Sequence, residues 1–191
     1  LQGWADEAIA TAQIEGEILQ VNSVRASAAR RLRMADAKAL DRDARTEATL
    51  DVLQAAIEQR HQPLTHEVLH GWQAALFPTG RSGIQKIRTG AYRDHAEPMQ
   101  IVTPRMGKPD IVHYQAPDSA DVPAQMTQLI DWFNSSLGKT DGLVRAALAH
   151  LWLEAIHPFE DGNGRVGRAL VEMALAQDLK TDKRLWSLSQ Q

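Results

Sequence analysis

The sequence predicts a mainly α-helical domain, because apolar residues recur at helical spacing along most of the chain and β-rich runs are confined to one short stretch. The 191 residues are 43% hydrophobic, which suffices for one sizeable core, so we expect a single domain over residues 1–191. The apolar spacing and the Gly and Pro breaks predict helices over residues 3–20, 22–33, 43–60, 65–77, 123–137, 142–156 and 163–178.

The β-rich stretch covers about residues 99–114. Two short runs, Gln100–Thr103 and Asp110–Tyr114, are rich in β-favouring residues, and the turn between them contains two prolines and a glycine. The sequence therefore predicts one β-hairpin in a helical chain. Such a hairpin is either a functional flap or structural padding.

Charge and composition narrow the classes of function. The formal net charge is −3, and the basic run at residues 29–33 has no interleaved aromatic residue, so we expect no nucleic-acid partner. No uninterrupted apolar run reaches about 18 residues, so we expect no membrane span. The chain has no cysteine, which excludes disulfides and thiolate chemistry and agrees with a reducing compartment. We therefore expect a cytoplasmic protein.

The run from His157 to Arg168, HPFEDGNGRVGR, concentrates more chemistry than any other part of the chain. It follows Leu143–Ile156, an apolar run without Gly or Pro that is typical of a buried helix. Pro158 disfavours helical geometry at His157, so we expect the helix to end there with the imidazole at its mouth. A histidine in this place can accept a hydroxyl proton near neutral pH.

The second half of this run is suited to an anion. The turn Gly162, Asn163, Gly164 lets backbone N–H groups approach a phosphate closely, and the helix that begins there favours negative charge through its dipole. Arg165 and Arg168 are three residues apart and therefore share one face of that helix. Two guanidinium groups beside such a turn suit a polyphosphate better than a single carboxylate.

Asp161 precedes this turn and can supply one oxygen to Mg2+ that also binds substrate phosphates. The set of residues thus predicts phosphoryl or nucleotidyl transfer, in which positioning and charge neutralisation do most of the catalysis. Residues 162–167 also match the dinucleotide fingerprint GxGxxG, but that fingerprint requires a preceding strand, and the preceding segment is predicted to be helical. A dinucleotide site is therefore not expected.

The same run resembles the signature HPFx(D/E)GNGRxxR of the Fic family at all of its fixed positions. Residues 89–93, TGAYR, resemble the stretch that precedes the flap in this family. The resemblance implies a Fic-like helical fold whose catalytic core spans residues 83–178, with the flap at about 99–114. It also implies a protein adenylyltransferase that uses ATP and Mg2+ and transfers AMP to a Ser, Thr or Tyr hydroxyl of a target protein.

The resemblance implies a role for each residue of the run. His157 would deprotonate the target hydroxyl, and Asp161 would hold Mg2+ between the α- and β-phosphates. The loop 162–164 would cradle the phosphates, with Arg165 on the inner ones and Arg168 on the γ-phosphate. The hairpin would align the target by strand addition. The flap residues expected to contact the target are Gln100, Ile101, Val102, Ile111 and Val112.

Residues 11–16, TAQIEG, fit the inhibitory motif (S/T)xxxE(G/N) of those Fic proteins whose inhibitory helix precedes the core. The resemblance implies that an N-terminal segment, residues 1–22, restrains the enzyme. Glu15, in a motif that begins at Thr11, would pair with Arg168 and take the cation that the γ-phosphate needs. Such couplings typically amount to ~1–3 kcal/mol, so we expect damped activity in the intact chain.

Other interpretations remain open on sequence grounds. The same motif could serve removal of AMP from a modified target, with Glu15 positioning water, or transfer of another phosphate-linked group. His66, Glu67 and His70 form the zinc-protease pattern H-E-x-x-H, but no third ligand follows at the expected spacing, so packed helix residues are the preferred interpretation. A non-enzymatic binding module is disfavoured by the intact His157.

The sequence also leads to expectations about the ends of the chain and about its partners. The chain begins at Leu1 rather than methionine, as expected where an N-terminal piece is missing. Fic proteins of this sort continue past a stretch such as Leu185–Ser189 into another helix, whereas this chain stops at Gln191. Either the chain is trimmed or its adenine pocket is incomplete. The expected partners are ATP and a target protein, and a homo-oligomer is compatible with the sequence.

Overall fold

The computed structural model describes residues 9–10, 24, 26–27, 29 and 44–180. Between residues 44 and 180 the helices are α1 (Ala44–Glu58), α2 (His66–Leu76), α3 (Val122–Ser135), α4 (Gly142–Ile156) and α5 (Asn163–Asp178). A 3-10 turn, Gln59–His61, directly follows α1. The predicted mainly α fold is confirmed, and each of these helices begins and ends within two residues of its predicted bounds.

The two helices predicted over residues 3–20 and 22–33 fall largely outside the described residues. Those positions that are described there, at 9–10, 24, 26–27 and 29, are helical. The hydroxyl of Ser27 donates a 2.6 Å hydrogen bond to the Glu47 carboxylate of α1. This contact joins the N-terminal part of the chain to the first helix of the 44–180 region.

Local sequence explains where the helices begin. Asp141 accepts hydrogen bonds from the N–H groups of Leu143 and Val144 at the start of α4, over 3.1 and 3.2 Å. Thr65 caps α2 in the same way, and such caps typically contribute about 1 kcal/mol each. Pro123 stands in the first turn of α3, where its missing N–H removes no helical hydrogen bond.

Helix α5 is the centre of the fold. Thirteen of its sixteen residues are buried, and it packs against α1, α2 and α4. The inward stripe predicted from the sequence is inaccessible to solvent, at Val166, Ala169, Leu170, Met173 and Ala174. Because α5 is enclosed along its length, its N-terminus, where the HPFEDGNGRVGR run lies, is braced by neighbouring elements.

A buried arginine joins three of the helices. Arg145 of α4 is 1% exposed and donates to the Phe133 carbonyl of α3 over 2.8 Å and to the Gln177 side chain of α5 over 2.7 Å. Its guanidinium also lies 4.0 Å from the centre of the Phe133 ring. Burial lowers the pKa of Arg145 below its ordinary value. This side chain belongs to the scaffold, since its partners are all in the helix packing.

The strands form two antiparallel pairs, β1 (Arg81–Ser82) with β2 (Gln85–Lys86) and β3 (Gln100–Thr103) with β4 (Ile111–Gln115). The predicted hairpin is confirmed as the β3–β4 pair, and the small β1–β2 pair was not predicted. Gln100 pairs with Gln115 and Thr103 with Ile111, with an irregularity in register after Ile101. Every residue of β3 and β4 is exposed.

None of the helices in the described ranges is both long enough and apolar enough to span a membrane.

Candidate active site

The C-terminus of α4 has an unusual backbone. His157 follows the last helical residue and adopts the left-handed conformation, with φ 50° and ψ 59°. The end of the helix before Pro158 was predicted, but this conformation was not. A left-handed backbone at a non-glycine residue costs roughly 1–2 kcal/mol, so the surroundings must hold it. The side chain is 36% exposed and therefore accessible.

Arg93 is the residue that holds this turn. It is 2% exposed, and its Nε donates to the His157 carbonyl over 2.8 Å, while its backbone N–H donates to the Pro158 carbonyl over 2.8 Å. Its guanidinium also donates to the carbonyls of Pro117 and Ile156. Burial lowers the pKa of Arg93 below its ordinary value. A permanent cation thus satisfies the carbonyls at the end of α4, where the helix dipole favours positive charge.

Asn163 holds the second turn. Its side chain accepts from the Phe159 N–H and donates to the Phe159 carbonyl, both over 2.9 Å. The Asn163 residue is 3% exposed, and Phe159 is fully buried. The amide side chain is therefore used inside the loop, and only backbone groups of Asn163 remain available to a phosphate. The sequence suggested an anion loop but not this internal bond.

Gly162 is required by both conformation and space. Its φ is 88°, and a Cβ at this position would lie 2.8 Å from Cε2 of Phe77. Because Gly162 has no side chain, it can adopt the left-handed conformation at the N-cap of α5 and let the loop pack against Phe77. This close approach places the loop and the start of α5 directly against Phe77.

A hollow of about 330 Å³ lies at the junction of α4 and α5. The predicted site residues that line it are His157, Asp161, Gly162, Asn163, Gly164 and Arg168, together with His150, Glu154 and Glu160. The imidazole, a carboxylate, the loop and one guanidinium thus meet around one space. The sequence predicted that these groups converge together with a second guanidinium, that of Arg165.

Arg165 departs from the predicted arrangement. It does not line this hollow but a neighbouring one of about 350 Å³, bordered by Phe77 and Ser82. Its side chain is 5% exposed and its guanidinium lies 4.8 Å from the centre of the Phe77 ring. Residues three apart on a helix are about 60° apart around the axis, so they can face different spaces once the helix is enclosed.

Asp161 lines the 330 Å³ hollow and contacts two residues that line the neighbouring one, Ser82 and Arg165. One carboxylate oxygen accepts from the hydroxyl of Ser82, and the other accepts from the Gly162 N–H over 2.5 Å and lies 3.6 Å from Nη2 of Arg165. The Arg165 contact fixes the orientation of the carboxylate that was predicted to hold Mg2+. Arg165 therefore acts on the predicted metal ligand.

Two further side chains support the loop and were missed in the sequence. Gln73 of α2 is fully buried; its amide nitrogen donates to the Asp161 carbonyl over 3.3 Å and its oxygen accepts from the Gly90 N–H over 2.7 Å. Glu160 accepts from the Arg88 N–H over 2.9 Å. The sequence offered one signal for Gln73, namely a glutamine on the apolar face of a predicted helix.

The H-E-x-x-H residues are used in packing. His66 has both ring nitrogens in hydrogen bonds, with the Tyr92 hydroxyl at 2.7 Å and the Thr127 hydroxyl at 3.2 Å. The His70 ring lies edge-on to Tyr92, with centroids 4.4 Å apart, and burial is the main cause that lowers the pKa of His70. Across the described residues, no three potential ligands cluster as a metal site. The geometry supports the packing interpretation of this motif.

The hairpin is tied to the site at its base. The Tyr114 hydroxyl of β4 donates to the Ala155 carbonyl of α4 over 2.5 Å, two residues before His157. The predicted target-contacting residues are all exposed, with Ile101 at 62%, Val112 at 48%, Ile111 at 41% and Val102 at 39%; Gln100 is exposed as well. The structure thus places an open pair of strands beside the imidazole.

The predicted inhibitory residues, Thr11 and Glu15, lie outside the described residues. Arg168, the proposed partner of Glu15, is described and is 8% exposed at the edge of the 330 Å³ hollow.

Comparison with protein families matches residues 63–175 to the Fic/DOC family, which is more than half of the chain and includes α2 through most of α5. Residues 1–34 match a domain of unknown function, DUF4172, a segment that contains the predicted inhibitory motif. The family match begins upstream of residue 83, where the resemblance had placed the start of the core.

Curated relatives include the protein adenylyltransferase Fic of Nematostella vectensis, 29% identical over 146 residues, which covers 66% of this chain and 34% of the relative. The protein adenylyltransferase fic-1 of Caenorhabditis elegans is 42% identical over 52 residues, which are 27% of this chain and 10% of the relative. This chain thus spans between a tenth and about a third of the length of these relatives.

Among solved structures, a Fic domain-containing signalling protein from Bacteroides thetaiotaomicron superimposes with a TM-score of 0.69 at 21% identity. The match covers 92% of this chain and 63% of that protein. At this identity the likeness supports the fold.

Proposed function

The chain belongs to the Fic/DOC family, and on that premise we propose that it is a protein adenylyltransferase, which transfers AMP from ATP to a hydroxyl side chain of a target protein. The observation that carries the proposal is the hollow at the α4–α5 junction. One space is lined by the imidazole of His157, the carboxylate of Asp161, the glycine loop and the guanidinium of Arg168. The names of the matched relatives support the same reaction.

In the proposed reaction, the hydroxyl oxygen of the target attacks the α-phosphorus of ATP. The bond from that phosphorus to the oxygen bridging toward the β-phosphate breaks, and pyrophosphate leaves. His157 accepts the hydroxyl proton, which a ring nitrogen at a partly exposed position can do. The left-handed backbone and its Arg93 clamp support this role, because they present the ring at the mouth of the hollow.

The N-terminus of α5 is suited to the phosphates. Its first amides are unpaired within the helix and its dipole favours negative charge, and the loop 162–164 lies directly at this end. Arg168 lines the same space and would bind the outer phosphate as charge leaves with pyrophosphate. Arg165 lines the neighbouring hollow, so Arg165 would act mainly through its contact with Asp161.

The donor set at this site fits Mg2+. This ion commonly keeps several waters and uses one or two carboxylates together with substrate phosphates, rather than a cage of protein ligands. Asp161 offers a carboxylate at the edge of the hollow, and the hydroxyl of Ser82 and the Arg165 guanidinium keep it oriented. When bound there, Mg2+ would supply positive charge that offsets the charge on the phosphates.

The β3–β4 hairpin would align the target by strand addition. Both strands are exposed, and an exposed strand edge presents N–H and C=O groups to an extended segment. The hydrogen bond from Tyr114 to the Ala155 carbonyl fixes the hairpin close to His157. A segment added to this pair would therefore carry its hydroxyl toward the imidazole.

The N-terminal segment would restrain the reaction. We place the restraint at Glu15, whose carboxylate would pair with Arg168 and so occupy the guanidinium needed by the γ-phosphate. The sequence match TAQIEG at residues 11–16 and the position of Arg168 at the hollow support this assignment. Removal of the Glu15 carboxylate is expected to raise activity about 5–150-fold, the usual range of such couplings.

The test uses ATP labelled at the α-phosphate, Mg2+, and three forms of the chain: wild type, Glu15→Gly and His157→Ala. We expect label on protein with wild type and with Glu15→Gly, and the strongest label with Glu15→Gly. It should fall by roughly 10²–10⁴-fold with His157→Ala, as for loss of a general base. ATP labelled at the γ-phosphate is the control, since AMP transfer leaves the acceptor unlabelled in that case.

Nucleotide binding is measured in parallel by calorimetry. Retained ATP binding in His157→Ala, with loss of label, would assign His157 to the chemical step. Equal labelling by wild type and His157→Ala would refute the proposed reaction. Equal labelling by wild type and Glu15→Gly would refute only the restraint.

A further inference from the structure

We propose that Glu154 is a positioning residue for His157 and that His150 holds Glu154 from its other side. The inference rests on the proposed function, because it concerns the base of that reaction. Glu154 and His150 lie outside the run HPFEDGNGRVGR that carries the family resemblance, whereas His157 is its first residue. All three line the hollow at the α4–α5 junction.

The geometry follows from the helix. His150 and Glu154 are four apart, Glu154 and His157 are three apart, and such residues share one face of a helix. One carboxylate oxygen of Glu154 lies 3.5 Å from Nε2 of His150, and the other lies 3.9 Å from Nδ1 of His157. A single carboxylate thus bridges two imidazoles. A side-chain shift on the order of 1 Å would bring the His157 pair to hydrogen-bond distance.

The inner atoms of this group are out of contact with water. Nε2 of His150 and the Oε1 atom of Glu154 are buried and, within the described part of the chain, form no hydrogen bond of good geometry. Buried polar atoms of this kind are costly unless they interact with each other or with a ligand. Their mutual approach at the wall of the hollow indicates a role in the site.

The neighbouring helix leaves room for this pair. Gly167 of α5 faces it, and a Cβ at that position would lie 2.6 Å from Cδ2 of His150 and 3.1 Å from Oε1 of Glu154. Any larger residue would require the His150–Glu154 pair to shift. Gly167 therefore lets the central helix pack directly against the imidazole and carboxylate.

The chemical consequence concerns the tautomer of His157. A neutral imidazole has one N–H donor and one bare nitrogen acceptor, and a fixed hydrogen bond at one nitrogen determines which is which. Nδ1–H directed at Glu154 leaves Nε2 bare to accept the target's hydroxyl proton. After that transfer the imidazolium lies beside a carboxylate, which stabilises its charge.

The first test is structural and does not need turnover. Histidine is labelled with 15N in wild type, Glu154→Ala, Glu154→Gln and the exposed control Glu58→Gln. The His157 signal is identified by its absence from His157→Ala. We expect the Nδ1–H tautomer in wild type, in Glu58→Gln and in Glu154→Gln, whose amide oxygen still accepts. Glu154→Ala should shift His157 toward the Nε2–H form. An unchanged tautomer in Glu154→Ala would overturn the inference.

The second test measures turnover with the labelled-ATP assay in the Glu15→Gly background. Glu154→Ala should lower kcat by roughly 10–100-fold, as for the loss of a residue that orients a reacting group. The KM for ATP should stay within about twofold, because Glu154 is not assigned to the phosphates. Glu154→Gln should fall between Glu154→Ala and Glu58→Gln. Equal kcat in Glu154→Ala and Glu58→Gln would also overturn the inference.

The two tests separate this inference from the proposed function. A wild-type chain that transfers no AMP but shows the Glu154-dependent tautomer would refute the function and retain the positioning role. Gly167→Ala adds a variant that keeps the chemical identity of all three side chains. It should shift the His157 tautomer in the same direction as Glu154→Ala, because its Cβ displaces the His150–Glu154 pair. No shift in Gly167→Ala would count against the role of His150.

Discussion

The α4–α5 junction, residues 157–168, lies close to the β3–β4 hairpin, yet the two parts are built in opposite ways. At the junction, Phe159, Asn163 and Arg168 are buried, and side-chain hydrogen bonds fix the backbone at several points. In the hairpin every strand residue is exposed, and the contact that anchors it to α4 is the Tyr114 hydroxyl.

This contrast agrees with the roles proposed for the two parts. Small charged groups such as phosphates are recognised by dipoles and charges held in place before binding, so the loop needs internal braces. An extended protein segment is recognised through backbone hydrogen bonds along an edge, so the hairpin needs open N–H and C=O groups. Substitutions at the loop should therefore act by changing its geometry. Substitutions in the hairpin should act by changing access to its backbone N–H and C=O groups.

The largest effect is expected from Arg93→Met, which removes the brace of the loop. Arg93 holds the carbonyls of His157 and Ile156, and a displacement of the imidazole by about 1 Å can cost on the order of 100-fold in kcat. The free energy of unfolding should also fall by about 2–4 kcal/mol, because buried carbonyls lose their donor. Both are measured with the labelled-ATP assay and urea unfolding.

Arg145→Met is the matched control for that prediction. Arg145 is equally buried and also donates to backbone carbonyls, but its partners are Phe133 and Gln177 in the helix packing. We expect similar destabilisation with kcat nearly unchanged under conditions where the variant is folded. Equal losses of kcat in the two variants would mean that stability, not the geometry of His157, limits turnover.

A smaller effect is expected in the hairpin from Val102→Pro, compared with Val102→Thr. Proline removes a backbone N–H from an exposed strand, whereas threonine keeps the N–H and the β-branched shape. One lost hydrogen bond of about 1.4 kcal/mol corresponds to about tenfold weaker binding of the target. Calorimetry should show ATP binding unchanged in both. Equal transfer rates in the two variants would argue against strand addition at β3.

The smallest effect concerns pH and His70 of α2, whose ring packs against Tyr92 and Phe159. Burial lowers the pKa of His70 below the ordinary 6.5, so the folded protein binds this proton less readily than the unfolded chain. Above about pH 6.5 the His70 ring is neutral in the folded and the unfolded protein, so it does not change the free energy of unfolding with pH. As the pH falls below that value, the unfolded chain binds the proton first and the free energy of unfolding decreases, until the pH is also below the pKa of His70 in the folded protein. Thermal unfolding between about pH 7.5 and 5.5 should show this decline.

His70→Phe should make that decline shallower, because phenylalanine can keep the ring contacts with Tyr92 and Phe159 and has no proton to bind. His61→Gln, at an exposed position after α1, is the control and should follow wild type. A slope for His70→Phe equal to that of wild type would show that other groups cause the acid sensitivity.

The helices and the loop could be predicted from the sequence because their signals are local. The apolar run 143–156, the proline after His157 and the Gly-Asn-Gly turn each act within a few residues, and α4 and α5 begin and end as predicted. The resemblance to a known family added the assignment of roles. Local signals of this kind do not state which distant residues hold the loop.

Those distant contacts arise from packing. Arg93 and Gln73 reach the loop from 64 and 88 residues away in the chain. The place of Gln73 on an apolar helix face and of Arg93 in the TGAYR stretch did not indicate which residues they contact. Arg165 faces a different hollow from Arg168 because α5 is enclosed by several helices, which separates two residues that an isolated helix would present together. The local chemistry of the site could thus be read along the chain, whereas its supports and the direction of its side chains depended on long-range packing, which no short segment encodes.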